Sequence, residues 1–112
     1  MIKVGKNLEL EVSQGDYFDI TFKITGLTLE EGATITFAVK KAPREVFPVL
    51  LKQAGTIATD TNSVRFIVES YMMKDLDAGE YVYDLTYAKG NNRRTLNYPT
   101  PFIVKGVVDH ES

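Results

Sequence analysis

The sequence contains no cysteine and no tryptophan, and its one histidine is His110. Without cysteine the chain has no disulfide, no thiolate nucleophile and no cysteine-ligated zinc, which fits synthesis in a reducing cytoplasm. His110 lies in the last four residues, away from any paired base, so no catalytic triad can be assembled around it. We therefore expect a protein that is not an enzyme and that uses no cofactor.

Excess charge of one sign and long apolar runs are also missing. Thirteen basic against fifteen acidic residues give a net charge of -2, so no overall field favours DNA or an anionic membrane. No apolar stretch approaches membrane-spanning length, and the first residues do not resemble a signal peptide. The eight glycines never cluster as in a phosphate-binding loop. We predict no nucleic-acid, membrane or nucleotide partner.

Two charged clusters could still carry chemistry. Asp75, Asp77, Glu80 and Asp84 crowd into ten residues, but they lack the spacing of a loop that wraps calcium. We interpret them as a solvated rim and predict no metal site. The pair at positions 93 and 94, both arginine, is interpreted as a solvated hairpin flank.

Alternation of apolar and polar residues is the strongest pattern in the chain. It is clearest where Phe18, Ile20, Phe22 and Ile24 share one face, the period of a half-buried strand. Strand-like segments fall at residues 8–12, 18–25, 33–40, 47–51, 64–68, 81–87, 95–98 and 102–105, the last extended by 106–108. This spacing predicts an all-β, antiparallel immunoglobulin-like sandwich of seven to eight strands. We expect a single domain over residues 1–112, with a frayed tail at 109–112.

The entry to the aromatic strand at 81–87 carries the most specific structural signal. Leu76, Gly79 and Tyr81 follow the spacing Leu-x-x-Gly-x-Tyr, which predicts a tyrosine corner whose hydroxyl bonds an upstream backbone group. Ser70 is placed to cap a helical turn over residues 71–75, which would lower Leu76 into the core.

Candidate contact residues come from two sources. Pro43 and Pro48 bracket a stretch that cannot pair fully in a sheet, so residues 42–51 are predicted to contain an edge, with Phe47, Val49 and Leu50 as its apolar surface. Aromatic residues at strand ends or in loops are also free to face a partner; these are Tyr17, Tyr71 and Tyr98.

Several short motifs together resemble a known family. They are Gly15-Asp16, Phe22-Lys23-Ile24, Val39-Lys40-Lys41 and the run from Leu76 through Gly79 and Tyr81 to Tyr83-Asp84-Leu85. The chain, from about Leu8 to Val107, resembles the small immunoglobulin-like modules of tailed-phage and prophage virion proteins, in particular the amino-terminal domain of baseplate upper proteins. The resemblance implies a non-enzymatic module that docks to its own copies and to other virion proteins.

Two hypotheses of function follow. The first is a phage or prophage structural module of the tail or baseplate, made in the host cytoplasm, incorporated into the virion and acting as a homo-oligomer with other virion proteins. The alternative is a sandwich that binds a carbohydrate or peptide ligand through a sheet face or a loop end, which leaves a glycan as a second partner class.

Overall fold

The structure, a computed structural model, describes residues 2–5, 7–44 and 46–106. Within these residues the chain forms ten strands and a short 3-10 turn at Ser70–Met73. The strands are β1 (Ile2–Val4), β2 (Leu10–Ser13), β3 (Phe18–Lys23), β4 (Thr34–Lys40), β5 (Val49–Ala54), β6 (Thr56–Ala58), β7 (Ser63–Val68), β8 (Gly79–Lys89), β9 (Asn92–Thr95) and β10 (Thr100–Lys105). The expected tail at 109–112, His110 and the strand extension at 107–108 lie outside the described residues.

The strands form two sheets. The larger has seven strands in the order β1-β2-β10-β8-β4-β5, with β9 also paired to β8, and the smaller has the order β3-β7-β6. All pairings are antiparallel except that of β10 with β2. The order of strands matches an immunoglobulin sandwich. In the large sheet β10, β8, β4 and β5 correspond to strands G, F, C and C′, and in the small sheet β3, β7 and β6 correspond to strands B, E and D. The predicted fold class is confirmed.

The described strands outnumber the seven or eight expected. The two that were missed, β1 and β6, span three residues each, which is too short for an alternating pattern to reveal. Leu8 was expected in the first alternating strand, but it has a positive φ of 67° and precedes β2. The return strand predicted at residues 95–98 lies at Asn92–Thr95 instead. The turn before it contains only Gly90, with a φ of 60°, and Asn91, so Lys89 pairs directly with Asn92.

Aromatic rings from both sheets meet in the centre of the core. Phe37 on β4 is fully buried, and its ring lies 5.0 to 6.1 Å, between centroids, from the rings of Phe18, Phe66, Tyr83 and Phe102. These rings come from β3 and β7 in the small sheet and from β8 and β10 in the large one. Edge-to-face ring pairs add stability beyond the apolar area they bury. Phe37 therefore joins the two sheets.

The entry to β8 has the hydrogen bond of a tyrosine corner. The Tyr81 hydroxyl donates to the Asp77 carbonyl oxygen at 2.7 Å, and Leu76 and Met73 are buried just ahead of it. The role expected for Ser70 is wrong: Glu69 precedes the 3-10 turn, and no side-chain hydrogen bond caps it. Leu76 reaches the core through a turn closed by backbone bonds alone, including that from its own amide to the Met73 carbonyl.

A second buried hydroxyl ties the amino-terminal turn to β8. Tyr83 donates to the Leu8 carbonyl at 2.6 Å. Burial, with a smaller contribution from the Glu9 carboxylate, raises the pKa of Tyr83 from 10.0 to about 12. The folded chain thus holds this proton more tightly than the unfolded chain does.

We expect Tyr81→Phe to lower the free energy of unfolding by about 1 to 3 kcal/mol, because the Asp77 carbonyl loses its donor. Tyr87→Phe is the matched control, since Tyr87 is buried on the same face of β8 and its hydroxyl makes no hydrogen bond among the described residues. Urea unfolding measures both variants. Equal midpoints for the two would mean that the corner bond does not stabilise the fold.

We also expect alkaline destabilisation that depends on Tyr83. Its contribution is fully present below pH 10.0, the ordinary tyrosine pKa, and is lost as the pH rises toward about 12, because only the unfolded chain ionises readily in that window. Urea unfolding across this range should show a steeper loss for the wild type than for Tyr83→Phe. Parallel losses in the two proteins would assign the alkaline effect to other groups.

Candidate functional site

The metal-ligating side chains of the described residues do not come together. In the part of the chain that the structure describes, no group of three or more histidine, cysteine, aspartate or glutamate side chains could hold a metal ion. The same residues contain no helix long and apolar enough to cross a membrane. Of the four carboxylates between positions 75 and 84, three are exposed, and Asp84 is half-buried in a groove.

That groove has a volume of about 630 Å³ and lies on the outer face of the large sheet. Its floor is formed by side chains of β4 and β8 that alternate with the core residues. Because Phe37 and Val39 are buried, Ala38 faces outward, and the pairing of Ala38 with Asp84 places two short side chains side by side. Small floor residues below larger flanking ones produce a trough; they are Thr36, Ala38, Thr86 and Ala88.

Different parts of the chain form the two walls. One wall consists of Val49 and Lys52 of β5 together with Pro43 and Arg44 of the loop that precedes β5. On the other side stand Arg93 and Thr95 of β9, followed by Pro99.

The second wall depends on Asn97, which was not recognised from the sequence. Its side-chain oxygen accepts a hydrogen bond from the Leu85 amide at 2.8 Å, and its amide group donates to the Thr100 hydroxyl at 3.0 Å. The neighbouring Leu96 amide donates to the Leu85 carbonyl. These bonds bridge the point on β8 where its partner changes from β9 to β10. No pattern within one segment predicts this role of Asn97, because it depends on β8, β9 and β10 lying next to one another.

The groove is strongly cationic although the chain carries a net charge of -2. Among the described residues, four basic side chains line it, against the one carboxylate of Asp84. In the described part of the chain, no ion pair involves Asp84 or three of the four cations, Arg44, Lys52 and Arg93. Lys40 is the fourth cation, and it donates to the Arg44 carbonyl at 3.3 Å.

Elsewhere on the surface several cations are paired. Arg65 Nε donates to Asp19 at 2.9 Å, and this contact lowers the pKa of the Asp19 carboxyl. Lys89 lies 2.6 Å from the Glu30 carboxylate, which raises the pKa of the lysine. By contrast, Arg44, Lys52 and Arg93 in the groove have no ion-pair partner among the residues that the structure describes.

The apolar surface expected over residues 42–51 is present and includes Val49 as expected, but Val46 contributes to it where Phe47 and Leu50 were expected. Phe47 and Leu50 are half-buried, and Leu50 packs against the core. Val46 is 78% exposed and Val49 is 47% exposed. Phe47 alternates with Val49 and Leu51 in the sequence, which favours placing it in the edge strand. Because β5 begins only at Val49, Phe47 lies in the loop that connects β4 to β5. We call Val46 and Val49 the apolar corner.

The three candidate tyrosines are exposed but do not form one surface. Phe18 pairs with Val68, which places Tyr17 at the end of β7, where the 3-10 turn carrying Tyr71 begins. Tyr17 lines a shallow depression with Ser70. Tyr98 is 91% exposed and lies beside Pro99 at the rim of the cationic groove.

No family model and no curated protein matches this chain. Among solved structures, the chain is similar to one described as "Parallel homodimer structures of the extracellular domains of the voltage-gated sodium channel beta4 subunit explain its role in cell-cell adhesion". The two are 11% identical, the match covers 96% of each chain, and the TM-score is 0.38. The fold assignment above stands on sheet order and register.

Proposed function

We propose that this protein is a non-enzymatic module that acts through protein–protein contacts and associates with copies of itself. The observation that carries the proposal is the apolar corner beside a sheet edge. Val46 and Val49 are exposed there, and within the described residues β5 pairs with β4 only. Exposed apolar side chains next to an unpaired strand are typical of a contact surface.

The contact would be made by side chains more than by backbone pairing. Pro48 stands directly before β5, Lys52 lies within it, and the register with β4 shifts between Val39 and Lys40. A proline, an edge lysine and a bulge are features that prevent indiscriminate strand addition. A partner would therefore cover Val46 and Val49 without extending the sheet.

We further propose that the assembly is a phage or prophage tail or baseplate. The support is the resemblance carried by Leu76, Gly79 and Tyr81 with the aromatic run that follows, together with a sandwich that presents contact surfaces. The protein would be made in the host cytoplasm and would join other virion proteins. Mass spectrometry of purified particles from the source strain tests this assignment, which an absence from tails and baseplates would contradict.

Ligand binding by the sandwich is the alternative, and the cationic groove is the observation that favours it. For a glycan the described lining is poorly suited, since its one aromatic residue, Tyr83, is 1% exposed and Tyr98 adds only a single exposed ring at the rim. Sugar recognition commonly uses exposed aromatic faces. The peptide form of the alternative is the better match.

We expect Val49→Glu to weaken self-association by about tenfold, because it places a charge in a contact that excludes water. Ile67→Glu is the matched control: Ile67 is a β-branched residue on the small sheet, 43% exposed against 47% for Val49. Light scattering over a concentration series, with circular dichroism to verify folding, measures both. A wild type that is monomeric throughout, or equal weakening by both variants, would refute the apolar corner as the contact.

A further inference from the structure

We propose that the cationic groove binds an extended acidic segment of a partner protein. The groove shares Val49 with the apolar corner, because Val49 is part of one groove wall, but among the described residues it is also lined by four basic and three threonine side chains that the corner lacks. It is open on the outer face of the large sheet, whereas β5 presents its free edge in the plane of that sheet. The inference therefore goes beyond self-association and does not require it.

The dimensions of the groove fit a peptide in extended conformation. Its lining follows β8 from Val82 to Ala88. Six residue steps along a strand at about 3.3 Å each give a length of about 20 Å. A partner segment of about seven residues, lying along β4 and β8, would fill it.

The basic groups are distributed along this length. Register places Lys40 level with Val82, and Arg93 level with Ala88 at the opposite end. Lys52 pairs with Ala38, which is level with Asp84. Alternate side chains of an extended peptide recur about every 7 Å on one face. Acidic residues at the first, third and seventh positions of a segment would therefore meet these three cations.

The floor between the cations suits a peptide backbone. Thr36, Thr86 and Thr95 line the stretch between Lys52 and Arg93. Each hydroxyl can donate and accept a hydrogen bond, which matches the alternating carbonyl and amide groups of an extended chain.

Other polyanions fit the groove less well. Single-stranded nucleic acid is held by stacking of successive bases on aromatic side chains. Among the described residues, the one aromatic residue that lines the groove has its ring in the core, and Tyr98 at the rim offers a single exposed ring. Asp84 in the floor repels any polyanion, but in the spaced peptide only the third-position carboxylate lies level with Asp84, and Lys52 lies at the same level to attract it. Charge complementarity without stacking thus favours an acidic peptide.

The test uses a fluorescein-labelled heptapeptide, Glu-Ser-Glu-Ser-Thr-Ser-Glu, and fluorescence anisotropy at low ionic strength. We expect saturable binding to the wild type that weakens as salt is added. The double variant Lys52→Glu with Arg93→Glu should bind about tenfold more weakly or worse, because two attractive contacts become repulsive. Asp84→Asn should bind more tightly than the wild type.

A matched double variant, Lys23→Glu with Arg94→Glu, is the control. It changes the net charge by the same amount, and Arg94 neighbours Arg93 on β9 but pairs with Tyr87, whose side chain lies in the core. We expect its affinity to stay within about twofold of the wild type. Equal losses in the two double variants, or no binding by the wild type, would overturn the proposal.

Heparin-derived oligosaccharide and a single-stranded oligonucleotide serve as competitors of similar charge. Weak competition by both supports the peptide. If either displaces the peptide at lower concentration than unlabelled peptide does, the groove is a polyanion site and the proposal is wrong. Light scattering on the same samples separates this result from self-association, since the groove variants leave Val46 and Val49 unchanged.

Discussion

The ring of Phe37 lies where the two sheets of this sandwich meet, and much of the molecule is arranged around it. Its contacts with Phe18, Phe66, Tyr83 and Phe102 hold β4 against both the small sheet and its neighbours in the large one. Immunoglobulin domains of antibodies use a disulfide between strands B and F for a similar purpose. This chain has no cysteine. Phe22 on β3 and Tyr83 on β8, the corresponding strands, instead bring their ring centroids to 6.1 Å.

The same core determines the outer surface. Because side chains alternate along a strand, burial of Phe37 turns Thr36 and Ala38 outward, and burial of Tyr83 and Leu85 does the same for Asp84. The groove floor is therefore the reverse side of the aromatic core. The small side chains on this outer face do not affect core packing, and they leave the groove open between β5 and β9. The packing of the core and the shape of the groove are therefore linked through the register of β4 and β8.

Periodicity within single segments was enough to predict most of the fold. The alternation of Phe18, Ile20 and Phe22 predicts β3. The spacing Leu-x-x-Gly-x-Tyr before Tyr81 predicts the corner hydrogen bond that the structure contains. What could not be predicted depends on relations between distant segments. The cationic groove needs β5, β4, β8 and β9 side by side, and Asn97 acts only because β8 changes partners beside it. The exposure of Val46 in place of Phe47 depends on where β5 begins, a boundary that alternation defines poorly.

The central role of Phe37 is tested most directly by urea unfolding of Phe37→Leu beside Phe22→Leu. Both rings are buried, but Phe22 packs only against Phe66 and Tyr83 among the described rings. If each ring pair contributes about 0.5 to 1.5 kcal/mol, Phe37→Leu should lower the free energy of unfolding by about 1 to 3 kcal/mol more than Phe22→Leu. Equal losses, or a larger loss for Phe22→Leu, would show that Phe37 is not what joins the two sheets.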